Sequence, residues 1–342
     1  MKYDLRHRRP DLFRQRKPRG PLLPISLLVI AALLGLFSLI RPFDLVANFN
    51  PSNVTVPPFT PTPTAVPTPT SIHGGHIVFT CTRKDVNQIC MVRADGSGYV
   101  QLTHETNNAY YPAISPDLKI VVFALNQYDL FNLNVLTLKN NDVNKLADQI
   151  GNSFSPDFSP DGKQVVFANR VGDNPSALWV IGSDGKKPHQ LYAGAKDIVG
   201  ASWSPDGAWI AFTMEVDSAF TYEVFLLDVN HPEAPPRRIS HGLSGIGGSL
   251  DWAPDGSHLV IFAGPVAARE IYRLDVPSGN YTRLTFGGNN AAPSYSPDGQ
   301  YIVFNSLRNN NQADLYTMRA DGHSQRQLTN NPEPDWQPQW GP

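Results

Sequence analysis

The sequence predicts an all-β fold: a six-bladed β-propeller, closed by pairing of its C-terminal strand with its first blade and preceded by one transmembrane helix. One turn motif recurs five times at intervals of 43 to 49 residues. Each interval contains four short β-rich runs, and the two ends of the repeated region supply complementary parts of one further repeat. A four-stranded sheet cannot cover its own two faces, so such units pack side by side around an axis.

The recurring motif is Ser-Pro-Asp-Gly in three of its five copies. Proline presets φ for the first central position of a type I turn, aspartate suits the second, and glycine takes the left-handed position, so each copy predicts a hairpin. The five aspartates are interpreted as turn formers rather than as a catalytic carboxylate set. In the first copy Leu118 replaces the glycine, which predicts a strained or looser turn there. The copies are 115–118, 159–162, 204–207, 253–256 and 296–299.

The two ends of the repeated region predict how the ring closes. Residues 72–103 contain the second, third and fourth strands of a blade but lack the first. At the other end, Pro-Gln-Trp at 338–340 matches the first-strand pattern Pro-Ser-Tyr at 293–295, at a distance of 45 residues. We therefore expect the C-terminal strand to pair with the first blade, because closure removes open sheet edges that would otherwise promote aggregation.

Residues 1–40 predict a membrane anchor. Residues 1–20 carry eight Lys or Arg and two Asp, and residues 21–40 contain no charge. As a helix, residues 21–40 are long enough to cross a hydrocarbon core of about 30 Å, and the positive-inside rule makes residues 1–20 a cytoplasmic tail. We expect a single-pass protein of the cell membrane with an extracytoplasmic body. A cleaved signal peptide is the alternative, but the apolar run exceeds the about 7–15 residues usual for such a signal.

Residues 41–71 are predicted to be a Pro/Thr-rich stalk, and residues 72–342 are predicted to be the propeller. Proline removes hydrogen-bond donors, so residues 51–70 should extend as polyproline for up to about 60 Å. Residues 45–342 carry 19 basic and 27 acidic residues. This negative balance gives no electrostatic reason to expect nucleic-acid binding.

The chain contains two cysteines, Cys81 and Cys90. They fall on consecutive strands of one predicted hairpin, so we expect a cross-strand disulfide in an oxidising compartment. Two unpaired buried thiols are the alternative. Their spacing is not that of a metal site.

The repeat Pro-x-aromatic-Ser-Pro-Asp-Gly-x-x-Ile-x-Phe resembles the WD-like repeat of TolB-type propellers over residues 72–342. The resemblance implies the fold and does not specify a task. The TolB propeller follows a separate α/β domain, and here the predicted anchor and stalk stand in that place, so the resemblance does not transfer TolB's own partnership. Related propellers of tricorn and prolyl oligopeptidase peptidases carry their catalytic machinery in another domain, which we do not recognise here.

Short polar side chains precede most of the predicted inner strands. Because the first strand of each blade lines the central channel, we expect these side chains to ring one channel mouth. Oxygen-rich rings can bind a polar ligand or a hard cation, so Ca²⁺ is the one candidate cofactor. Ordinary loop composition is the alternative, and one blade has Gly247 and Gly248 at these positions. The candidate ligand-binding residues are Asn108, Asn152, Asp197, Asn290 and Asp335.

No catalytic constellation is recognisable in the sequence. The nucleophile elbow Gly-x-Ser-x-Gly is not found, since residues 242–246 fail at the last position. We therefore predict a non-enzymatic scaffold that binds a protein, a peptide or an envelope polysaccharide through a channel mouth or loop face. The alternative is a carbohydrate-active hydrolase or lyase with its site in the channel, which would require a clustered acid and base.

Overall fold

The computed structural model describes residues 74–147, 150–216, 221–309 and 311–342. The predicted tail, transmembrane helix and stalk lie outside the described residues. Within these ranges the regular elements are 24 β-strands. None of the residues so described forms a helix that could span a membrane.

The strands form six antiparallel sheets of four strands each, which confirms the predicted six blades. From the channel outward, blade 1 comprises β24 (Asp335–Gly341), β1 (His76–Arg83), β2 (Val86–Arg93) and β3 (Val100–Gln101). Blade 2 comprises β4 (Ala109–Ile114), β5 (Ile120–Gln127), β6 (Leu130–Thr137) and β7 (Asp142–Lys145). Blade 3 comprises β8 (Asn152–Phe158), β9 (Gln164–Arg170), β10 (Ala177–Gly182) and β11 (His189–Tyr192).

The other three blades follow the same order. Blade 4 comprises β12 (Ile198–Trp203), β13 (Trp209–Glu215), β14 (Tyr222–Asp228) and β15 (Arg237–Arg238). Blade 5 comprises β16 (Leu250–Trp252), β17 (His258–Ala263), β18 (Glu270–Asp275) and β19 (Tyr281–Arg283). Blade 6 comprises β20 (Asn290–Tyr295), β21 (Tyr301–Asn309), β22 (Gln312–Arg319) and β23 (Arg326–Gln327).

The C-terminal strand β24 closes the ring, as the sequence predicts. It pairs antiparallel with β1, and this register places Trp340 opposite Ile77. Trp340 is buried in a hydrophobic cluster that joins residues of blade 1 to residues of blade 6. The five other blade junctions have a cluster of the same kind. The core is therefore divided among the junctions, so the stability of each blade depends on its neighbours.

A disulfide joins Cys81 in β1 to Cys90 in β2, with a Cα–Cα distance of 5.8 Å. The two residues are diagonal neighbours, because Cys81 lies opposite Gln88 and Cys90 lies opposite Phe79. Both cysteines are fully buried. The bond therefore fixes the first hairpin of the propeller within the core.

Alternation of strand direction gives the ring two distinct ends. The first-to-second and third-to-fourth connections of each blade lie at one end, which we call the turn face because it carries the Ser-Pro-Asp-Gly turns. The second-to-third connections and the links between blades lie at the other end, which we call the mouth face. The chain enters β1 at the turn face, since β1 is the second strand of its blade.

The turns have the chemistry that the motif predicts. In blade 3 the Ser159 hydroxyl donates to Asp161 at 2.7 Å, and Asp161 also accepts the N–H of Lys163 at 3.0 Å. Gly162 follows with φ of +69°. Leu118 occupies the same left-handed region with φ of +55°, so the prediction of a strained turn in blade 2 is confirmed.

Replacing Gly256 by alanine should lower the free energy of unfolding by about 1–2 kcal/mol, the cost of placing a Cβ in the left-handed region. An added Cβ there meets no atom within 4 Å, so backbone strain is the only new effect. Leu118→Gly should lower the free energy of unfolding by less than Gly256→Ala does. The variant loses the packing of the partly buried Leu118 side chain, but it also relieves the same backbone strain. Urea unfolding measures the free energy of unfolding of both variants. If Gly256→Ala is as stable as the unchanged protein, the assignment of backbone strain is wrong.

Candidate functional site

The axial channel has three parts. At the mouth face it opens into a cavity of about 580 Å³, which we call the mouth cavity. The middle narrows to a waist of about 80 Å³. At the turn face it widens to about 390 Å³. The mouth cavity is therefore the largest space along the channel.

Aromatic and amide side chains line the mouth cavity. The guanidinium of Arg269 lies 5.5 Å from the centre of the Phe262 ring, which is a cation–π distance. Asn289, next to a predicted site residue, also lines this cavity. Aromatic faces combined with a few hydrogen-bonding groups suit a ligand that has both apolar and polar parts, such as a peptide segment. The aromatic lining residues are Tyr110, Tyr111, Phe154, Phe262 and Trp336.

The five candidate ligand-binding residues do not line this cavity. Three of them hold neighbouring blades together, because their side-chain oxygens accept hydrogen bonds from the backbone of the preceding blade. These oxygens satisfy backbone donors of the preceding blade, a role that the sequence analysis did not predict for them. The bonds run from the N–H of Asn87 to Asn108 (2.9 Å), of Phe131 to Asn152 (2.8 Å) and of Ser176 to Asp197 (2.8 Å).

The other two candidates are buried between strands. Asn290 is fully buried and donates to the carboxylate of Glu270 at 2.9 Å. Asp335 is also fully buried and accepts a 2.7 Å bond from the amide of Asn331. Burial raises the pKa of Asp335 to about 6. Neither side chain can reach a ligand in the channel without leaving these partners.

A second ring, which the sequence analysis missed, surrounds the waist. It is formed by the residue that precedes the aromatic position of each first strand. Gln339, Asp157 and Asp251 occupy it in blades 1, 3 and 5, and smaller residues occupy it in blades 2, 4 and 6. Four of these side chains accept the backbone N–H of the next blade. Those bonds are Ile114 to Gln339 (2.7 Å), Trp203 to Asp157 (2.8 Å), Tyr295 to Asp251 (2.8 Å) and Trp340 to Ser294 (3.0 Å).

The two waist carboxyls are electrostatically unusual. Burial raises the pKa of Asp157 to about 6. Burial, together with the negative charge of Asp157, raises the pKa of Asp251 to about 7. Asp251 accepts three hydrogen bonds, from the N–H of Trp252 at 2.9 Å, from the Ser294 hydroxyl at 2.8 Å and from the next blade. The hydrogen bonds lower both pKa values and identify the two aspartates as structural acceptors, but burial outweighs them, so both pKa values remain raised.

Most of the exposed large apolar side chains lie at the mouth face, on several blades. The described residues include six exposed large apolar side chains, and five of them lie at the mouth face, four in its connections and Leu130 at the start of β6. The sixth, Val100, begins β3 and lies at the turn face. Tyr128 is 99% exposed and lies in a two-residue turn with Asp129, in which both residues have left-handed φ angles of +55° and +65°. We call the five the apolar rim: Tyr128, Leu130, Val171, Val266 and Phe286.

Across the described ranges, no three His, Cys, Asp or Glu side chains are grouped so that they could hold a metal ion.

Comparison with known proteins supports the propeller assignment. A family model described as the TolB beta propeller domain matches residues 65–204. An uncharacterized protein of Agrobacterium fabrum, Atu1656, is 35% identical over 140 residues, which cover 41% of this chain and 46% of that protein. The Tol-Pal system protein TolB of Anaeromyxobacter dehalogenans is 35% identical over 95 residues, covering 26% of this chain and 20% of that protein. The matches thus span less than half the length of these relatives.

Solved structures show the same fold. The crystal structure of TolB from Acinetobacter baumannii superposes with a TM-score of 0.66 at 19% identity, over 78% of this chain and 66% of that one. An oligogalacturonate lyase in complex with manganese superposes with a TM-score of 0.52 at 17% identity, over 74% of this chain and 73% of that one. These structures show the fold, a six-bladed β-propeller, and the family model adds a match to the TolB beta propeller domain over residues 65–204.

Proposed function

We propose that this chain is a non-enzymatic, membrane-tethered and extracytoplasmic propeller that binds a protein partner through its mouth face. The apolar rim docks against the partner, and the mouth cavity accepts a peptide segment of it. The observation that carries the proposal is that five exposed apolar side chains and an aromatic-lined cavity lie at the same end of the ring.

Three physical arguments support the mouth face as the binding surface. Exposed apolar side chains that gather on one surface are typical of interaction sites, and aromatic residues and arginine dominate interface energetics. The turn at Tyr128 holds a bulky side chain in a left-handed conformation, and such strain gathers at functional sites. The described part of the chain enters β1 at the turn face, so the mouth face is the end of the ring opposite that entry point.

The experiment is site-specific photo-crosslinking of the full-length chain in its native membrane. A photoreactive residue at position 128 or 286 should give a discrete crosslinked protein, and the same residue at Val100 on the turn face should not. The double variant Tyr128→Ser/Phe286→Ser should reduce recovery of that partner by about 10-fold or more, since hot-spot truncations cost about 2 kcal/mol each. Crosslinking only at position 100, or unchanged recovery with the double variant, would refute the proposal.

One observation favours a carbohydrate-active enzyme as a second candidate. Asp157 and Asp251 form a carboxyl pair in the channel with raised pKa values, and acid–base hydrolysis of sugars uses such pairs. The waist between them has a volume of about 80 Å³, which is room for a few water molecules, but both carboxyls also line the turn-face cavity of about 390 Å³, where a sugar ring would have to bind. Turnover of an oligosaccharide that is abolished by Asp157→Asn would establish the enzyme; with no turnover, the scaffold remains the better account.

A further inference from the structure

The third strands of four blades carry a buried polar side chain at one equivalent position. In blades 4 and 5 this residue is glutamate, and an arginine of the fourth strand neutralises each one. Arg238 lies 2.6 Å from Glu223, and Arg283 lies 2.9 Å from Glu270. Each glutamate also accepts a hydroxyl hydrogen bond from the residue two positions after that arginine. The four equivalent residues are Gln88, Glu223, Glu270 and Asp314.

Blade 6 departs from this arrangement. Asp314 is one methylene shorter than glutamate, and the strand register puts Gln327 where blades 4 and 5 have arginine. Gln327 donates one bond to Oδ2 of Asp314 at 3.0 Å. The equivalent hydroxyl, that of Thr329, bonds to Asp335 instead. Asp314 is 3% exposed, and its Oδ1 has no hydrogen-bond partner in the described structure.

A buried carboxylate oxygen without a partner costs several kcal/mol unless a cation compensates it. Asp335 has such a cation, since Arg83 lies 3.7 Å from its carboxylate. For Asp314, burial and the negative charge of Asp335 both raise the pKa, to about 6. The electrostatic environment of Asp314 therefore favours a positive charge that no described side chain supplies.

A cavity of about 330 Å³ adjoins this position at the mouth face. Asp314 and four amide side chains line it, so the surrounding groups are rich in oxygen. The amide nitrogens of Asn309 and Gln312 donate to other residues, which leaves their carbonyl oxygens available. The amide residues are Asn309, Gln312, Asn330 and Asn331.

We propose that this cavity binds one Ca²⁺ ion, held by Oδ1 of Asp314 and by amide oxygens around it. Calcium accepts six to eight oxygen ligands in flexible geometry, including amide carbonyls and water, whereas Mg²⁺ demands a tight octahedron and Zn²⁺ prefers nitrogen and sulfur. With a single carboxylate ligand, the affinity belongs in the range of about 10⁻⁴–10⁻³ M typical of extracellular modules. The ion would join blade 6 to residues 330–331, the segment that leads into the closing strand β24.

Calcium titration of the full-length chain tests this proposal. Calorimetry should show one site. Addition of 10 mM CaCl₂ should raise Tm by about 3–10 °C, because this calcium concentration is about 10–100 times the expected Kd. An equal concentration of MgCl₂ should have a much smaller effect. Asp314→Asn should weaken Ca²⁺ binding at least about 10-fold, because it removes the only carboxylate ligand.

A second variant separates loss of the ion site from loss of folding. Asp314→Glu/Gln327→Arg rebuilds the ion pair of blades 4 and 5, so the propeller should keep its Tm in calcium-free buffer and lose its response to calcium. Asp206→Asn, in an exposed turn on the opposite face, is the matched control and should respond like the unchanged protein. If the unchanged protein shows no calcium-dependent shift, or if both Asp314 variants bind calcium as tightly as it does, the site does not exist.

Discussion

Trp340→Ala is expected to lower the free energy of unfolding by about 3–5 kcal/mol, the range for truncating a large buried aromatic side chain. Trp340 is 6% exposed in the cluster between blades 6 and 1. Its backbone N–H bonds to the Ser294 hydroxyl of blade 6 at 3.0 Å, while its strand pairs with β1. The residue therefore supports the closing junction from both sides, so its loss should loosen the whole ring.

Two other variants provide the comparison for Trp340→Ala. Trp336, in the same strand, is half-buried at the mouth cavity, so Trp336→Ala should cost clearly less. Tyr128 is fully exposed, so Tyr128→Ala should change stability by less than about 0.5 kcal/mol. Circular dichroism during urea unfolding is the suitable measurement, since it does not depend on tryptophan fluorescence. Equal losses for Trp340→Ala and Trp336→Ala would show that closure does not depend on the buried tryptophan.

The free energy of unfolding of Asp251→Asn, relative to that of the unchanged protein, is expected to increase as pH rises. The pKa of Asp251 is raised to about 7 in the folded protein, from an ordinary value of 3.8. The folded state therefore holds this proton more tightly than the unfolded chain, so its contribution to stability is complete below pH 4 and is lost as pH rises to about 7. Over that interval the difference in unfolding free energy should shift toward the variant by up to about 4 kcal/mol.

A turn aspartate supplies a control of opposite sign. The Ser159 hydroxyl, the Lys163 N–H and the Lys163 ammonium lower the pKa of Asp161 to about 2. This carboxylate stabilises the fold above its ordinary pKa, and the effect is lost as pH falls toward 2. Asp161→Asn should therefore be least stable, relative to the unchanged protein, at neutral pH. Thermal unfolding of both variants from pH 3 to pH 8.5 measures the two trends, and parallel curves would contradict the assignment for Asp251.

The architecture could be predicted from the sequence because its determinants are local and repeated. Each Ser-Pro-Asp-Gly turn fixes one hairpin, and the number of strand runs fixes six blades. Ring closure could be predicted because residues 338–340 match the first-strand pattern at 293–295. The first blade is the only blade without its own first strand, so the C-terminal strand is expected to pair there. Even the exception at Leu118 was visible, because only glycine adopts the left-handed position without strain.

The candidate site could not be predicted in the same way, because it depends on which neighbour each side chain meets. Asn108 and Asn152 were recognised as polar groups before inner strands, but spacing does not show that their oxygens reach the preceding blade. Asp157 and Asp251 occupy a variable position of the repeat, and the signal that could have identified them is their alternation with small residues around the ring. The equivalence of Asp314 with Glu223 emerges only from the strand register.

The pairing of β1 on both of its edges has a mechanical consequence. Tension transmitted along the preceding chain reaches the propeller at His76, where hydrogen bonds to β2 on one side and to β24 on the other resist displacement. Such a pull must break two rows of bonds together rather than peel a free edge one bond at a time. The strand β1 is thus held on one edge by β24, the closing strand, and on the other edge by β2, so a force applied at His76 meets paired edges on both sides.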